Sequence, residues 1–349
     1  MATSTSNSGG TATAVTTVNS QIFTHFSDED IIDSGQTTVT ENVWSSEIGG
    51  TLTAFFTSSV QVSSSGDYYY DVYQTTYSAT SAAVQFAIAY GNAQGSGSYE
   101  KFTNMGVSGY TPSKAVYFQY ANILLPNGTS RFTVNGNSIN DFIAINFQRE
   151  RVKEVLDPGN WELTVDNGAG VITTLVDSNT GISESSVSET YDIVSGSISS
   201  GIYSSTSPVY YGKAYPKYGM LIFDARVLKN SASIDIAETE HSSSESNNIG
   251  TMFDAIKAGA SFTARNKQTI ASQYYFVRVK NNKYNYSNNP TYWVTGSLRF
   301  ADFVSDPVSY ITTVGLYNDS TELLAVAKIS QPIKKTKTTE SLIRVCLNF

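Results

Sequence analysis

Apolar and polar residues alternate with a period of two along much of this chain, the spacing of half-buried strands. "DYYYDVYQTTYSATSAAVQFAIAYG" predicts two strands, the second with Val84, Phe86 and Ile88 set against Gln85 and small residues. "GVITTLVDSNTG", "YDIVSGSISSGIY", "PVYYGKAYPKYGMLIFDARVL" and "ASIDIAE" predict further short strands between Ser and Gly turns. The last ninety or so residues are the most regular: "SQYYFVRVKNNKYNYSNNP" is a strand and an Asn-rich loop, "SYITTVGLYNDSTELLAVAKI" two strands about an "NDS" turn, and "ESLIRVCLNF" a closing strand. "RFTVNG" and "DFIAINF" predict a strand pair.

Helical spacing occurs in two places. In "TPSKAVYFQYANILLPNG", Thr111 is set to cap and Pro112 to open a helix, with Val116, Tyr120, Ile123 and Leu124 on one face. In "NNIGTMFDAIKAGASF", Met252, Phe253 and Ile256 recur at helical intervals and are read as core. The predicted fold class is mainly β, with β-sandwich-like domains and a few short helices.

The organisation expected from these patterns is a flexible N-terminal arm at 1–20 and a β-rich domain with one short helix at 21–160. A Ser/Gly-rich β region at 161–260 and a C-terminal β domain at 261–349 complete it. The arm is too small and polar to offset the entropy of its own ordering, and it would order only against a neighbour. In an alternative arrangement the two ends form one sheet system and the middle is inserted between them.

"RERVKEVLDPGNW" puts mixed charges between two predicted strands, where Pro158 and Gly159 supply turn chemistry. Mixed signs compensate each other and grip phosphate poorly, so the cluster is read as an exposed structural turn. Only 15% of residues are charged, 40% are hydrophobic, and there are 23 Tyr and 17 Phe. The net charge of -8 repels polyanions, so no nucleic-acid partner is expected. Neither a secretory leader nor a membrane span is recognisable, and the protein is expected to be made in a cytoplasm without membrane insertion. The N-x-S/T triplets at Asn127, Asn285 and Asn318 are then chance matches.

Catalytic chemistry is sparse. The chain has two histidines, His25 and His241, and one cysteine, Cys346, which is read as a buried small hydrophobe. His25 with Asp28, Glu29 and Asp30 is read as a polar turn, because the spacing fits no calcium loop. His241 is read as solvated. No phosphate-cradling loop or nucleophile elbow occurs. No catalytic, metal or cofactor-binding residue is assigned, no cofactor is expected, and the chain is read as no enzyme. Lys328, Lys334, Lys335 and Lys337 are read as a solvated basic loop between two strands.

Two blocks carry a resemblance. "FQRERVKEVLDPGNWELTV", and "YITTVGLYNDSTELLAVAKISQPIKKTKTTESLIRVCLNF" preceded by "YYFVRVKNNKYNYSNNPTYW", resemble virion structural proteins of large contractile-tailed bacteriophages, including those infecting cyanobacteria. The similarity runs over most of the chain from about Phe23 and is weakest in the Ser-rich middle. It implies a place in the virion, in the tail or baseplate, among other virion proteins and in several copies. It carries over no functional residue. Two rival readings are a module that binds a host-surface glycan through loops such as "NNKYNYSNNPTYW", and a polysaccharide-degrading enzyme with paired carboxylates.

Overall fold

The computed structural model describes residues 2–3, 24–45, 49–58, 69–95, 113–178, 189–236, 245–287, 290–295 and 297–348. The fold is mostly β with a few helices, as the alternation predicts. The strands are, in chain order, β1 (Ala2–Thr3), β2 (Thr24–His25), β3 (Ile31–Asn42), β4 (Thr51–Leu52), β5 (Tyr69–Tyr73), β6 (Val84–Asn92), β7 (Thr133–Val134), β8 (Asn137–Ser138), β9 (Asp141–Phe147), β10 (Val155–Asp166) and β11 (Ile172–Asp177). They continue with β12 (Tyr191–Ser197), β13 (Gly201–Ile202), β14 (Tyr210–Tyr215), β15 (Met220–Asp224), β16 (Ser261–Val279), β17 (Trp293–Val294), β18 (Ser297–Leu298), β19 (Ser309–Tyr317), β20 (Leu323–Lys335) and β21 (Ser341–Asn348).

The chain divides into two compact units, one made of Met1–Thr37 with Thr269–Phe349 and the other of Thr38–Gln268. The two ends of the chain therefore share a unit, and the segment between them is far larger than the Ser-rich middle. This division does not fall at the boundaries expected near Trp161 and Ala260. Trp161 sits fully buried inside β10, paired with Ala264 of β16 just after the break in that ladder. Of the expected N-terminal arm only Ala2–Thr3 is described, and it pairs in parallel with β2 and with β19.

In the Thr38–Gln268 unit the start of β16 leads an antiparallel series, β16-β10-β11-β12-β14-β15-β9-β6-β5. The Phe262 ring on β16 lies 5.4 Å from Phe86 on β6, although the two strands stand near opposite ends of this order. The sheet is therefore curled around its own core, which contains Trp161, Leu163, Ile143, Ile145, Leu221 and Phe223 from alternating inward positions. Each such side chain contributes about 1.5–3 kcal/mol by leaving water.

Helix Glu245–Gly259 packs on β10 and supplies Met252, Phe253 and Ile256 to that core, as their spacing predicts. Its last residue must be small, since a Cβ on Gly259 would lie 2.1 Å from the Thr164 carbonyl oxygen. A second cluster fills the other face of β6, β9, β14 and β15 beneath helix Ser113–Leu124. The buried face of that helix is Ser113, Tyr117, Ala121 and Leu124, so of the predicted face only Leu124 is buried and Ile123 is exposed. Tyr117 sets this orientation: its ring packs on Phe132 and Phe142, while its hydroxyl donates to the Ile139 carbonyl at 2.6 Å and accepts the Phe132 N–H. Thr111 and Pro112 lie outside the described residues.

Three local expectations are corrected. "RFTVNG" pairs not with β9 but with β8, across an Asn135-Gly136 turn in which both residues have positive φ. "ARVLKNSA" is a helix, Ala225–Ala232, whose start is capped by the Asp224 carboxylate accepting from the N–H groups of Arg226 and Val227. The following "SIDI" is not a strand; Ile234 and Ile236 alternate inward from irregular backbone, which explains the strand-like pattern.

The other unit is built as two facing sheets. One is β2-β1-β19-β20; the other includes β21 paired with the end of β16 from Ser272 to Val279. Val314 and Leu316 of β19 meet Val277 and Val279 of β16, Val345 of β21 and Phe26 in one core. This sandwich arises because β21 and the last residues of β16 alternate, with Val277, Val279 and Val345 inward and Arg278 and Arg344 outward.

Candidate functional site

The charged stretch after β9 forms a helical turn, Arg149–Val152, followed by β10. Its cations are engaged: Arg149 donates to the Lys217 carbonyl, Arg151 to the Gln85 side chain, and Lys153 pairs with Glu41. The Pro158-Gly159 pair makes a bulge within β10 rather than a turn between strands, and the Gly159 N–H (φ 76°) donates to both carboxylate oxygens of the buried Asp177. Gln85, itself buried, accepts from the Ser45 N–H and from Arg151, and donates to Gln74 and to the Ala83 carbonyl.

The acidic turn after His25 is a single 3-10 turn, Asp28–Asp30, with His25, Asp28 and Glu29 exposed and Asp30 buried. One Asp30 oxygen accepts the Ser27 N–H at 3.0 Å and the Ser27 hydroxyl at 2.7 Å; the other accepts the Arg278 Nε–H at 2.6 Å. Burial works to raise the Asp30 pKa, but the Ser27 bonds and Arg278 outweigh it and hold the carboxyl below its ordinary value. Among the described residues no group of three His, Cys, Asp or Glu side chains is placed to hold a metal ion. His241 lies outside the described residues.

The basic tract is not a solvated loop. Lys328, Lys334 and Lys335 belong to β20, and Lys335 is fully buried because the strand's alternation turns it inward opposite Ser309. Its ammonium donates to the Asn281 carbonyl, the Asn285 side-chain oxygen and the Thr336 carbonyl. Lys337 donates to the Ser305 carbonyl. Cys346 is also corrected: it is exposed, since Ile343, Val345 and Leu347 take the inward positions of β21.

Two surface features of the sandwich unit remain after this accounting. The first is β20, thirteen residues long and the last strand of its sheet, paired only with β19 among the described residues. Leu323, Leu324 and Val326 on it are exposed, Leu324 by 65%, and Leu342 on β21 by 63%. The second is a pair of adjoining cavities that share Phe276, Arg278 and Lys280 of β16. The larger, about 670 Å³, is also lined by Glu29, Ile32 and Glu340. The smaller, about 320 Å³, is lined by His25, Lys283, Thr24, Ser27 and Asp30 with the shared residues. Sequence reading missed it, although Arg278 and Lys280 two apart in "FVRVK" put two cations on one strand face of an acidic chain; His25 and Lys283 arrive only through the fold.

No family model matches the chain, and neither the curated proteins nor the solved structures include a significant match to it.

Proposed function

We propose that this chain is a non-enzymatic structural subunit of a bacteriophage virion, in the tail or baseplate, that works through protein–protein interfaces with other virion proteins and further copies of itself. The observation that carries the reading is the bare side of β20. Thirteen residues of strand run for about 40 Å with one row of backbone N–H and C=O groups unpaired among the described residues. An edge of this length usually carries charge, proline or a bulge to prevent pairing with another chain. β20 has these guards in Lys328, Pro332 and Lys334 and in two irregularities of its ladder with β19, but its first third carries Leu323, Leu324 and Val326 in exposed positions. Such a surface suits a permanent contact in which an added strand takes up the backbone hydrogen bonds and the apolar side chains leave water. The phage assignment is supported by the resemblance of the two sequence blocks, the second of which spans β19, β20 and β21.

The test compares the full chain with a Leu324→Lys/Val326→Lys double variant by light scattering after size exclusion, alongside localisation of the chain in images of a contractile-tailed particle. Concentration-dependent assembly that the variant loses, with density in the tail or baseplate, is the expected result. A wild-type chain that remains single at high concentration and has no place in the particle refutes the proposal.

A further inference from the structure

We infer that the smaller cavity, between the Thr24–Asp30 segment and β16, binds an anionic sugar unit: one ring carrying a carboxylate or a sulfate. Arg278, Lys280, Lys283 and His25 line it, in a chain whose net charge is -8. Asp30 is the sole carboxylate of the lining, and its oxygens are already taken by Ser27 and by the Arg278 Nε–H. That bond fixes the guanidinium by one edge. The terminal nitrogens of Arg278 and the ammonium groups of Lys280 and Lys283 make no hydrogen bond or ion pair among the described residues. The cavity thus holds a surplus of positive charge, with a planar two-pronged donor pre-set for a carboxylate or sulfate.

Size and lining select the rest of the ligand. About 320 Å³ lies at the small end of ligand pockets and is roomy for an isolated oxyanion or an acidic side chain. A single hexose fits that space better. Phe276 offers an apolar wall, and the Thr24 hydroxyl, held by Tyr284 at 2.6 Å, offers a polar contact for ring hydroxyls. The overall negative charge disfavours a polyanion such as nucleic acid, whose further charges would meet the acidic remainder of the surface. The inference rests on this cavity and not on the assembly reading, and its variants lie on a different strand from Leu324 and Val326.

The experiment titrates the full chain with sodium glucuronate, glucose 6-sulfate, glucose and a tetraglutamate peptide, followed by saturation-transfer NMR and calorimetry. At least one anionic sugar is expected to bind at about millimolar concentration, with glucose at least about tenfold weaker and binding falling as salt rises. Whichever of glucuronate and the sulfate binds more tightly identifies the anionic group. Lys280→Ala/Lys283→Ala, both exposed positions that leave the core intact, should weaken binding by about tenfold or more. The inference is overturned if neither anionic sugar binds, if glucose binds equally well, or if the double variant binds as the wild type does. Tighter binding of tetraglutamate than of either anionic sugar would reassign the cavity to an acidic peptide and overturn it too.

Discussion

Replacing Lys335 with methionine removes an ammonium while keeping most of the side chain's volume. The three bonds lost, to Asn281 O at 2.9 Å, Asn285 Oδ1 at 2.8 Å and Thr336 O at 2.6 Å, are charge-assisted. At roughly 1.5–3 kcal/mol each they amount to about 4–9 kcal/mol. Against this stands the cost of burying the charge, several kcal/mol, which methionine escapes. Asn281 is exposed and Thr336 half-buried, so water can reach part of what is left behind. The net loss works out at about 2–3 kcal/mol, concentrated in the 281–287 loop. That loop also depends on the Tyr284 hydroxyl at Thr24 and the Ser309 hydroxyl donating to the Tyr284 carbonyl. Urea denaturation would read the stability, and amide hydrogen exchange the loop. Burial also pushes the Lys335 pKa below its ordinary value, with Glu340 opposing. In the interval between that lowered value and the ordinary one near 10.5 the unfolded chain binds more protons, so wild-type stability rises with pH there, and Lys335→Met loses that rise. Equal stability of the two proteins, unchanged exchange in the loop and the same pH slope would refute the reasoning.

Gln85→Leu should cost about 2–4 kcal/mol in urea midpoint analysis, because the half-buried Ser45 N–H and the partly desolvated Arg151 both lose their acceptor. Asp30→Asn should cost about 1–3 kcal/mol. In the wild type the contribution of this carboxyl, whose folded pKa is depressed, is present above about pH 4 and is lost as pH falls through the folded value; thermal melts between pH 6 and 3 should show a steeper fall in the wild type than in the variant. Gly259→Ala should destabilise by about 3 kcal/mol or yield no folded protein, since its methyl group meets Thr164 backbone. Cys346 in the folded protein should react with a thiol reagent to one equivalent without denaturant, and protection until unfolding would contradict its exposed position.

Where alternation was strict the fold was legible from sequence. β5 and β6 pair as Val72 opposite Phe86, β19 and β20 as Val314 opposite Ala327, and β21 closes on β16. The buried side chains of helix Glu245–Gly259 were legible for the same reason at a different period. Lys335 was not, because a charge at an inward strand position looks like solvent exposure until its three acceptors, distant in sequence or supplied by backbone, are in place. Cys346 was misread because an apolar run hides the two faces of a strand, which only pairing with Tyr274 separates. Helix Ala225–Ala232 carried a readable signal in the Asp224 cap and in Ala225, Leu228 and Ala232 at helical spacing, yet a preceding strand pattern masked it. The cationic cavity was half legible: Arg278 and Lys280 share a face by period, but bringing them to His25 and Lys283 needs tertiary structure.

Because Met1–Thr37 and Thr269–Phe349 fold together, synthesis on the ribosome is not neutral for this protein. The Thr38–Gln268 unit can complete itself first, while the early segment waits for its partners. β20 follows both the Thr38–Gln268 unit and its own neighbour β19 along the chain, so Leu323, Leu324 and Val326 leave the ribosome only after that unit can fold and with a strand already waiting to pair.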